Sequence, residues 1–169
     1  MDFRAYARGQ FQFTHRAFEQ VVADLDEQLL RQASGTLNSP AVIYAHVVTA
    51  EDGIVNGICL GRPSIFNAEW AGKTGVPLKQ TPMLEADWAK TVRMNLPAFR
   101  EYAQAVYAAT DAAIATMDDA LAEKVIDTPF GTKQPVLEFL ANLGVTHAWG
   151  HMGEIAAIKG AAGLKGLPF

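Results

Sequence analysis

The stretch NLGVTHAWGHMGEIAAIKG, residues 142–160, carries two of the four histidines of the chain, His147 and His151, four positions apart. Residues with this spacing lie about 40° apart around an α-helix, so the two imidazoles stand one above the other on one face. Two histidines placed in this way can bind one metal ion, as they do in zinc-binding helices. Histidines of an ordinary helical core can have the same spacing, so the pair alone leaves both interpretations open.

The residues around the pair predict a long helix whose histidine face points inward. Leu140, Leu143 and Ile158 fall on the same face as the two histidines, which is the periodicity of an amphipathic helix. Pro135 suits the first position of a helix. We therefore predict a helix of about 27 residues that begins at Pro135 and ends near the glycines that follow residue 159.

Three further long helices are predicted upstream of this one. Apolar residues recur at three- and four-residue spacing over residues 11–29, which is typical of an amphipathic helix. A second helix is predicted over residues 39–60, with Ser39 as its cap and Pro40 in its first position. A third is predicted over residues 97–117, again opened by a proline.

The segments between these helices are less regular. Residues 61–95 contain turn formers and one short predicted helix after Thr81 and Pro82, and residues 127–135 are predicted to form a loop. The predicted fold is therefore all-α: a single domain over residues 1–169, a four-helix bundle with a long crossover or insertion between helices 2 and 3. Bundles bury metal and ligand sites between facing helices, so the functional residues are expected on the inner faces.

Composition narrows the class of protein. The chain has 169 residues, of which 50% are hydrophobic and 19% charged, as expected of one globular domain. Its net charge is −4 and no basic cluster occurs, which argues against nucleic-acid binding. No apolar run is long enough to span a membrane, and the first ten residues do not resemble a signal peptide. A single cysteine, Cys59, excludes an internal disulfide, and we expect a cytoplasmic protein.

His46, on the second predicted helix, changes the interpretation of the pair. A lone histidine on an apolar stripe is more often a core residue held by one hydrogen bond, but Ala50, Gly53 and Gly57 share its face. Glycine in a helix costs about 0.5–1 kcal/mol relative to alanine, which suggests close helix approach or room for a ligand. Three buried imidazoles that face one cavity most simply satisfy one another through a metal ion. The predicted metal ligands are therefore His46, His147 and His151.

Three other polar residues are candidates for the site. His15 lies on an apolar stripe from which it could reach the cavity, but a structural or rim position explains it at least as well, so it is left out of the ligand set. Cys59 lies about 140° from His46 around the helix and is interpreted as a small core or surface residue, not as a ligand or nucleophile. Glu154, on the inner face, could orient a histidine, bind the metal or act as a general base; a glutamate that reaches solvent at the end of the bundle is the alternative.

The motifs together resemble a known family. YAHVVTAEDGIVNGI (residues 44–58), TPFG (128–131) and the segment 136–166, with its MGEI after His151, resemble the DinB-like (DinB/YfiT) superfamily of metal-binding four-helix bundles. The resemblance implies a divalent metal (nickel, zinc, iron or manganese) held by three imidazoles. It also implies enzymes that use bacillithiol, mycothiol or glutathione, and frequent homodimers. Residues 61–95 depart from the minimal family pattern.

The leading functional hypothesis is a metalloenzyme with a small-molecule substrate. A low-molecular-weight thiol is a possible cofactor, the reaction being an S-transfer, isomerisation or hydrolysis in which Glu154 moves the proton. Trp70 and Trp88 could cover the open side of the site, although core packing explains them equally well. The alternative is a non-catalytic metal-binding stress-response protein; a wide pocket beside the metal favours the enzyme. A di-iron carboxylate site is disfavoured because the sequence contains no Glu-x-x-His motif.

Overall fold

The described part of the chain, residues 3–33, 35–79 and 83–169 of a computed structural model, is mostly helical. The α-helices are α1 (Phe3–Val22), α2 (Glu27–Arg31), α3 (Pro40–Asp52), α4 (Ala68–Thr74), α5 (Ala86–Ala89), α6 (Leu96–Thr116), α7 (Asp119–Glu123), α8 (Val136–Leu140) and α9 (Ala148–Ala161). Two π-helical segments, Gly53–Cys59 and Ala141–His147, extend α3 and join α8 to α9. The predicted all-α class is confirmed.

The predicted starts of the second and third long helices are confirmed by their caps. The hydroxyl of Ser39 accepts a hydrogen bond from the backbone N–H of Val42 at 3.4 Å, and Pro40 occupies the first turn of α3. Asn95 caps α6 in the same way, and a proline again lies in the first turn. The first N–H groups of a helix have no acceptor within the helix. A side-chain acceptor before the helix and a proline, which has no N–H, in its first turn are therefore both favoured.

Three local predictions were wrong. The first helix does not continue to residue 29, because the chain leaves α1 at Val22 and α2 begins after Asp26, whose carboxylate caps it. Residues 127–135 are not a plain loop: β1 (Val125–Asp127) and β2 (Lys133–Pro135) form an antiparallel hairpin with Ile126 opposite Gln134. The connection 61–95 also contains α4, capped by Asn67. Thr81 and Pro82, the predicted start of the short helix that became α5, lie outside the described residues.

The long helices pack so that the elements carrying the histidines face each other. α1 contacts α6 and α9, and α3 also contacts α6 and α9. His46 lies on α3, His147 ends the π-helical segment that precedes α9, and His151 lies near the start of α9. The histidines of the two elements are therefore brought together by the packing of α3 on α9. Within the described residues, no helix is long and apolar enough to cross a membrane.

A buried carboxylate ties the start of the 61–95 connection to the helical core. Asp52 is fully buried and accepts hydrogen bonds from the backbone N–H groups of Ile65 and Phe66 at 2.9 and 2.8 Å. The Tyr102 hydroxyl and the Asn56 side-chain amide donate to the same carboxylate at 2.9 and 2.8 Å. Four donors around one buried charge compensate its desolvation and fix the path of the chain as it leaves the second long helix.

One of the helical glycines permits a close approach of helices. A Cβ added to Gly144 would lie 1.8 Å from Cε1 of Phe11, a buried ring on α1. At Gly53, Gly57, Gly150 and Gly153 an added Cβ would meet nothing within 4 Å. Close packing therefore explains Gly144, which lies three residues before His147, and does not explain the other four.

Candidate metal centre

The three predicted ligands converge. Nε2 of His46 lies 3.0 Å from Nε2 of His147. One ring nitrogen from each of His46, His147 and His151 lies within 4.8 Å of the other two. The ring centroids are 4.6–4.9 Å apart, and each pair of rings meets edge to face.

The local helix geometry explains why the pair faces one way. His147 is the last residue of the π-helical segment, and Ala148 begins a regular α-helix that contains His151. The turn from His147 to His151 is therefore α-helical, as predicted from the sequence, and this places the two rings on one face. π-helical turns are rare and are frequent at functional sites, and here one of them ends on a histidine of the cluster.

Burial keeps two of the rings neutral at neutral pH. Burial lowers the pKa of His46 to about 2, and the positive charge of Lys79 acts in the same direction. Burial likewise lowers the pKa of His147 to about 4, with smaller contributions from His151 and Lys79. A neutral imidazole offers a lone pair, which is the form that binds a metal ion.

The arrangement fits a divalent metal ion. Two nitrogens bound to one tetrahedral zinc ion at about 2.0–2.1 Å lie about 3.3–3.4 Å apart, so the 3.0 Å separation of His46 and His147 needs only a small adjustment. Nδ1 of His151 lies 2.7 Å from Oε2 of Glu154. A carboxylate that accepts the Nδ1 proton leaves Nε2 free to bind metal. A carboxylate is a usual hydrogen-bond partner of a metal-bound histidine.

A cavity of about 270 Å³ adjoins the three histidines. Its lining includes the buried side chains of Ile54 and Leu143 and the exposed side chains of Met83 and Phe130, which are 46% and 59% exposed. Part of the lining of the cavity therefore lies at the surface of the described structure. The remaining lining residues among those described are also apolar.

His15 lies outside the cluster, as predicted. Its Nε2 lies 3.0 Å from Oε2 of Glu51, and its ring stacks on Tyr107 with centroids 3.9 Å apart. The other carboxylate oxygen of Glu51 accepts a hydrogen bond from Thr110 at 2.6 Å. Glu51 is 4% exposed, so these contacts compensate a buried carboxylate and give His15 a structural role.

Of the two interpretations of Trp70 and Trp88, cover of the site or core packing, the structure favours core packing. Neither Trp70 nor Trp88 is among the described residues that line the cavity. Trp70 packs on Tyr102 with ring centroids 5.6 Å apart, and Trp88 is buried and donates to the carbonyl of Pro77 at 3.0 Å. Cys59 is buried, as a packing residue should be, and burial raises the pKa of its thiol to about 12.

Two contributions to the site were missed from the sequence. The hairpin turn supplies Pro129 and Phe130 to the cavity, and the 61–95 connection supplies Lys79, whose Nζ lies 2.9 Å from Nδ1 of His46. Helical periodicity carries no information about either, because both lie outside the long helices. The turn-forming residues around Gly131 were the available signal for a hairpin.

Comparisons with known proteins agree with this geometry. A family model described as the DinB superfamily matches residues 10–155. A solved structure described as the conserved protein of locus from Enterococcus faecalis superposes with a TM-score of 0.74 at 15% sequence identity. The alignment covers 95% of this chain and 99% of that chain, and at this identity the similarity concerns the fold. No curated protein matches the chain.

Proposed function

The chain belongs to the DinB superfamily, and from this premise we propose that it is a divalent-metal-dependent enzyme acting on a small molecule. The observation that carries the proposal is the cavity beside the three histidines, which reaches the surface. A purely structural metal site is closed by four protein ligands, whereas a catalytic site keeps a position open. Three imidazoles beside a cavity correspond to the open arrangement.

His46, His147 and His151 would hold the ion. A bound divalent ion lowers the pKa of water or of a thiol and so supplies a nucleophile at neutral pH. The apolar lining makes the surroundings of a bound molecule less polar than water, which strengthens electrostatic interactions there. Nickel, zinc, iron and manganese all accept imidazole ligands, and we propose no preference among them.

Glu154 is proposed to act through His151. Its carboxylate lies 2.7 Å from Nδ1 of that ring, so it fixes the orientation of the imidazole. Its side chain is 38% exposed, so it can exchange protons with solvent. The general-base role predicted for Glu154 from the sequence stays a prediction, since the contact supports the positioning role more directly.

A low-molecular-weight thiol is the proposed co-substrate, with S-transfer as the favoured reaction and isomerisation or hydrolysis as alternatives. Thiolates bind zinc and iron well, and a thiol bound to a divalent ion is deprotonated.

The proposed function is tested by turnover. The protein, stripped with a chelator and reloaded separately with zinc, nickel, iron and manganese, is assayed with glutathione, bacillithiol and mycothiol against electrophilic substrates. We expect turnover that needs both a metal and a thiol and is lost in His147→Ala. Metal-dependent turnover without a thiol would retain the enzyme and exclude the transferase. Stoichiometric metal binding with no turnover in any combination would favour the non-catalytic metal-binding protein.

A further inference from the structure

Apart from the histidines, the cavity beside the metal centre has an apolar lining among the described residues. Three of the lining side chains, Ala50, Ile54 and Leu143, are buried and come from α3 and from the two π-helical segments. Two others, Met83 and Phe130, are exposed and lie on the surface side of the cavity. The wall that a bound molecule would meet away from the histidines is therefore apolar in the described structure.

Two charged side chains contact the histidines without lining the cavity. Nζ of Lys79 lies 2.9 Å from Nδ1 of His46, and a carboxylate oxygen of Glu154 lies 2.7 Å from Nδ1 of His151. Neither charged residue is among the described residues that line the cavity. Away from the metal position, a charged group of a ligand would lose its hydration without gaining an oppositely charged partner among those residues, which is unfavourable.

Ala50 makes room beside the metal position. It lies one helical turn after His46 on α3 and is 1% exposed. The small residues on the face of His46 were predicted from the sequence to allow close helix approach or to leave room for a ligand. Of these, Ala50 lines the cavity, whereas Gly53 and Gly57 are not among its described lining residues. The space for a ligand therefore depends on the short side chain at position 50.

A hydrogen-bonded turn holds Phe130 at the cavity. The backbone N–H of Thr128 donates to the carbonyl of Thr132 at 2.8 Å, and the two threonine hydroxyls lie 2.8 Å apart. The backbone N–H of Phe130 donates to the hydroxyl of Thr128 at 3.3 Å. These contacts fix the turn between β1 and β2, so the ring of Phe130 forms a defined part of the cavity wall.

The volume of the cavity limits the size of its ligand. The cavity of about 270 Å³ lies between an apolar cavity of about 150 Å³ that binds benzene and the roughly 300–1,000 Å³ of pockets for drug-sized ligands. One ring with a short substituent, or a branched alkyl group of similar size, fits these limits. Glutathione, bacillithiol and mycothiol carry many polar groups, which need hydrogen-bond partners when they are buried. The lining therefore suits the electrophile of the proposed reaction better than the body of the thiol.

We propose that the cavity binds the uncharged, apolar group of an electrophilic substrate, such as one ring or a branched alkyl group. Ala50 sets the depth of the cavity and Phe130 contacts the bound group, so both residues determine specificity. This substrate class rests on the proposed function, because the metal position would hold the reacting end of the molecule.

The preference for an uncharged group is measured with 3,3-dimethylbutan-1-ol and choline. The two molecules have the same arrangement of non-hydrogen atoms and differ in the charge of the trimethyl end. Each is titrated by calorimetry into the zinc-loaded and the metal-free protein. We expect the uncharged alcohol to bind at least about tenfold more tightly than choline to both forms, because the lining offers no countercharge. Equal affinities, tighter binding of choline, or no binding of the alcohol would overturn the proposal.

Phe130→Ala tests the contact at the surface side of the cavity. We expect the alcohol to bind about fivefold more weakly, the effect of losing roughly 40 Å² of apolar contact. Val125→Ala is the matched control, because Val125 is 60% exposed in the same hairpin and is not among the described lining residues. It should leave the affinity unchanged. Equal affinities of the two variants would contradict the role of Phe130.

Ala50→Leu tests the depth of the cavity and has a readout in stability. The larger side chain should fill the cavity, lower the affinity for the alcohol more than tenfold and leave the urea midpoint of the metal-free protein no lower than in the wild type. Ala103→Leu is the control: Ala103 is fully buried on α6 and is not a described lining residue, so overpacking should lower its urea midpoint. A midpoint of Ala50→Leu as low as that of Ala103→Leu would show that the space is absent.

Zinc content separates the two levels of the account. A wild type that bound no zinc would overturn the proposed function, whereas a preference for the alcohol in the metal-free protein would still support an apolar binding site in the cavity. Normal zinc binding without that preference would overturn the substrate class alone.

Discussion

Gly144 controls how closely the histidine-bearing helix approaches α1, and Gly144→Ala tests that packing. The added Cβ would lie 1.8 Å from Cε1, 2.0 Å from Cζ and 2.9 Å from Cδ1 of Phe11. Carbon atoms in favourable contact are about 3.5–4.0 Å apart. Phe11 is 3% exposed and packs in the core with Ile114 and Leu140, so any movement of its ring disturbs core packing. Either the ring or the helix must shift by more than an ångström.

The expected loss of stability is about 2 kcal/mol. Overpacking a core typically costs about 1–3 kcal/mol, and an approach of 1.8 Å places Gly144→Ala at the upper end of that range. Replacing a helical glycine with alanine returns about 0.5–1 kcal/mol, which leaves a net loss of about 2 kcal/mol. For a chain of this size, about 2 kcal/mol lowers Tm by roughly 4–8 °C. Because His147 lies three residues further along the same helix, the shift should also weaken metal binding.

Urea and thermal unfolding of the metal-free protein measure the effect. Gly153→Ala is the matched control: it lies in α9, which continues the π-helical segment of Gly144, and its added Cβ would meet nothing within 4 Å. It should raise the unfolding free energy by about 0.5–1 kcal/mol. If Gly144→Ala were as stable as Gly153→Ala, the close approach of the two helices would be wrong.

Further predictions address the buried charges and the histidines. Asp52→Ala should lower the unfolding free energy by about 3–5 kcal/mol in urea titrations, because four hydrogen-bond donors lose their acceptor; a loss below about 1 kcal/mol would contradict this role. The pKa values of His46 and His147, about 2 and about 4, lie below the ordinary 6.5, so the unfolded chain binds protons first as the pH falls. The contribution of these two rings to the free energy of unfolding of the metal-free protein should therefore be fully present above pH 6.5. It should decrease towards pH 4 by up to about 1.4 kcal/mol per pH unit for each ring. Urea midpoints that do not change between pH 7 and pH 5 would refute this pH dependence. Glu154→Ala should weaken zinc binding about 10- to 100-fold in chelator competition, with partial recovery in Glu154→Gln, because the orientation of His151 depends on this carboxylate; unchanged affinity would exclude that role.

The fold and the ligand set follow from the sequence where local rules operate. Ser39, Asn95 and their neighbouring prolines mark helix starts through backbone chemistry that needs no tertiary context. Helical spacing also places His147 and His151 on one face. His46 needed a further inference, that the two helices face each other, and the packing of α3 on α9 supplies it.

The features that were not predicted from the sequence depend on contacts between residues far apart in the chain. The apolar periodicity of residues 11–29 continues across the break after Val22, because Leu25, Leu29 and α1 all pack on the same core. The contact of Lys79 with His46 joins residues 33 positions apart in the sequence, and no local pattern records it. The glycines show the same limit: helix propensity marks every helical glycine as costly, and only the position of Phe11 distinguishes Gly144 from Gly53, Gly57, Gly150 and Gly153.

The central claim is that His46, His147 and His151 hold one divalent ion, and metal stoichiometry tests it most directly. The wild type and each of the three alanine variants are stripped, incubated with zinc, desalted and measured by elemental analysis. His15→Ala is the matched control, because His15 pairs with Glu51 outside the cluster. We predict about one zinc ion per chain in the wild type and in His15→Ala, and less than about a tenth of an equivalent in each of the three variants. Less than a tenth of an equivalent in the wild type, or the same zinc content in His147→Ala as in His15→Ala, would contradict the account.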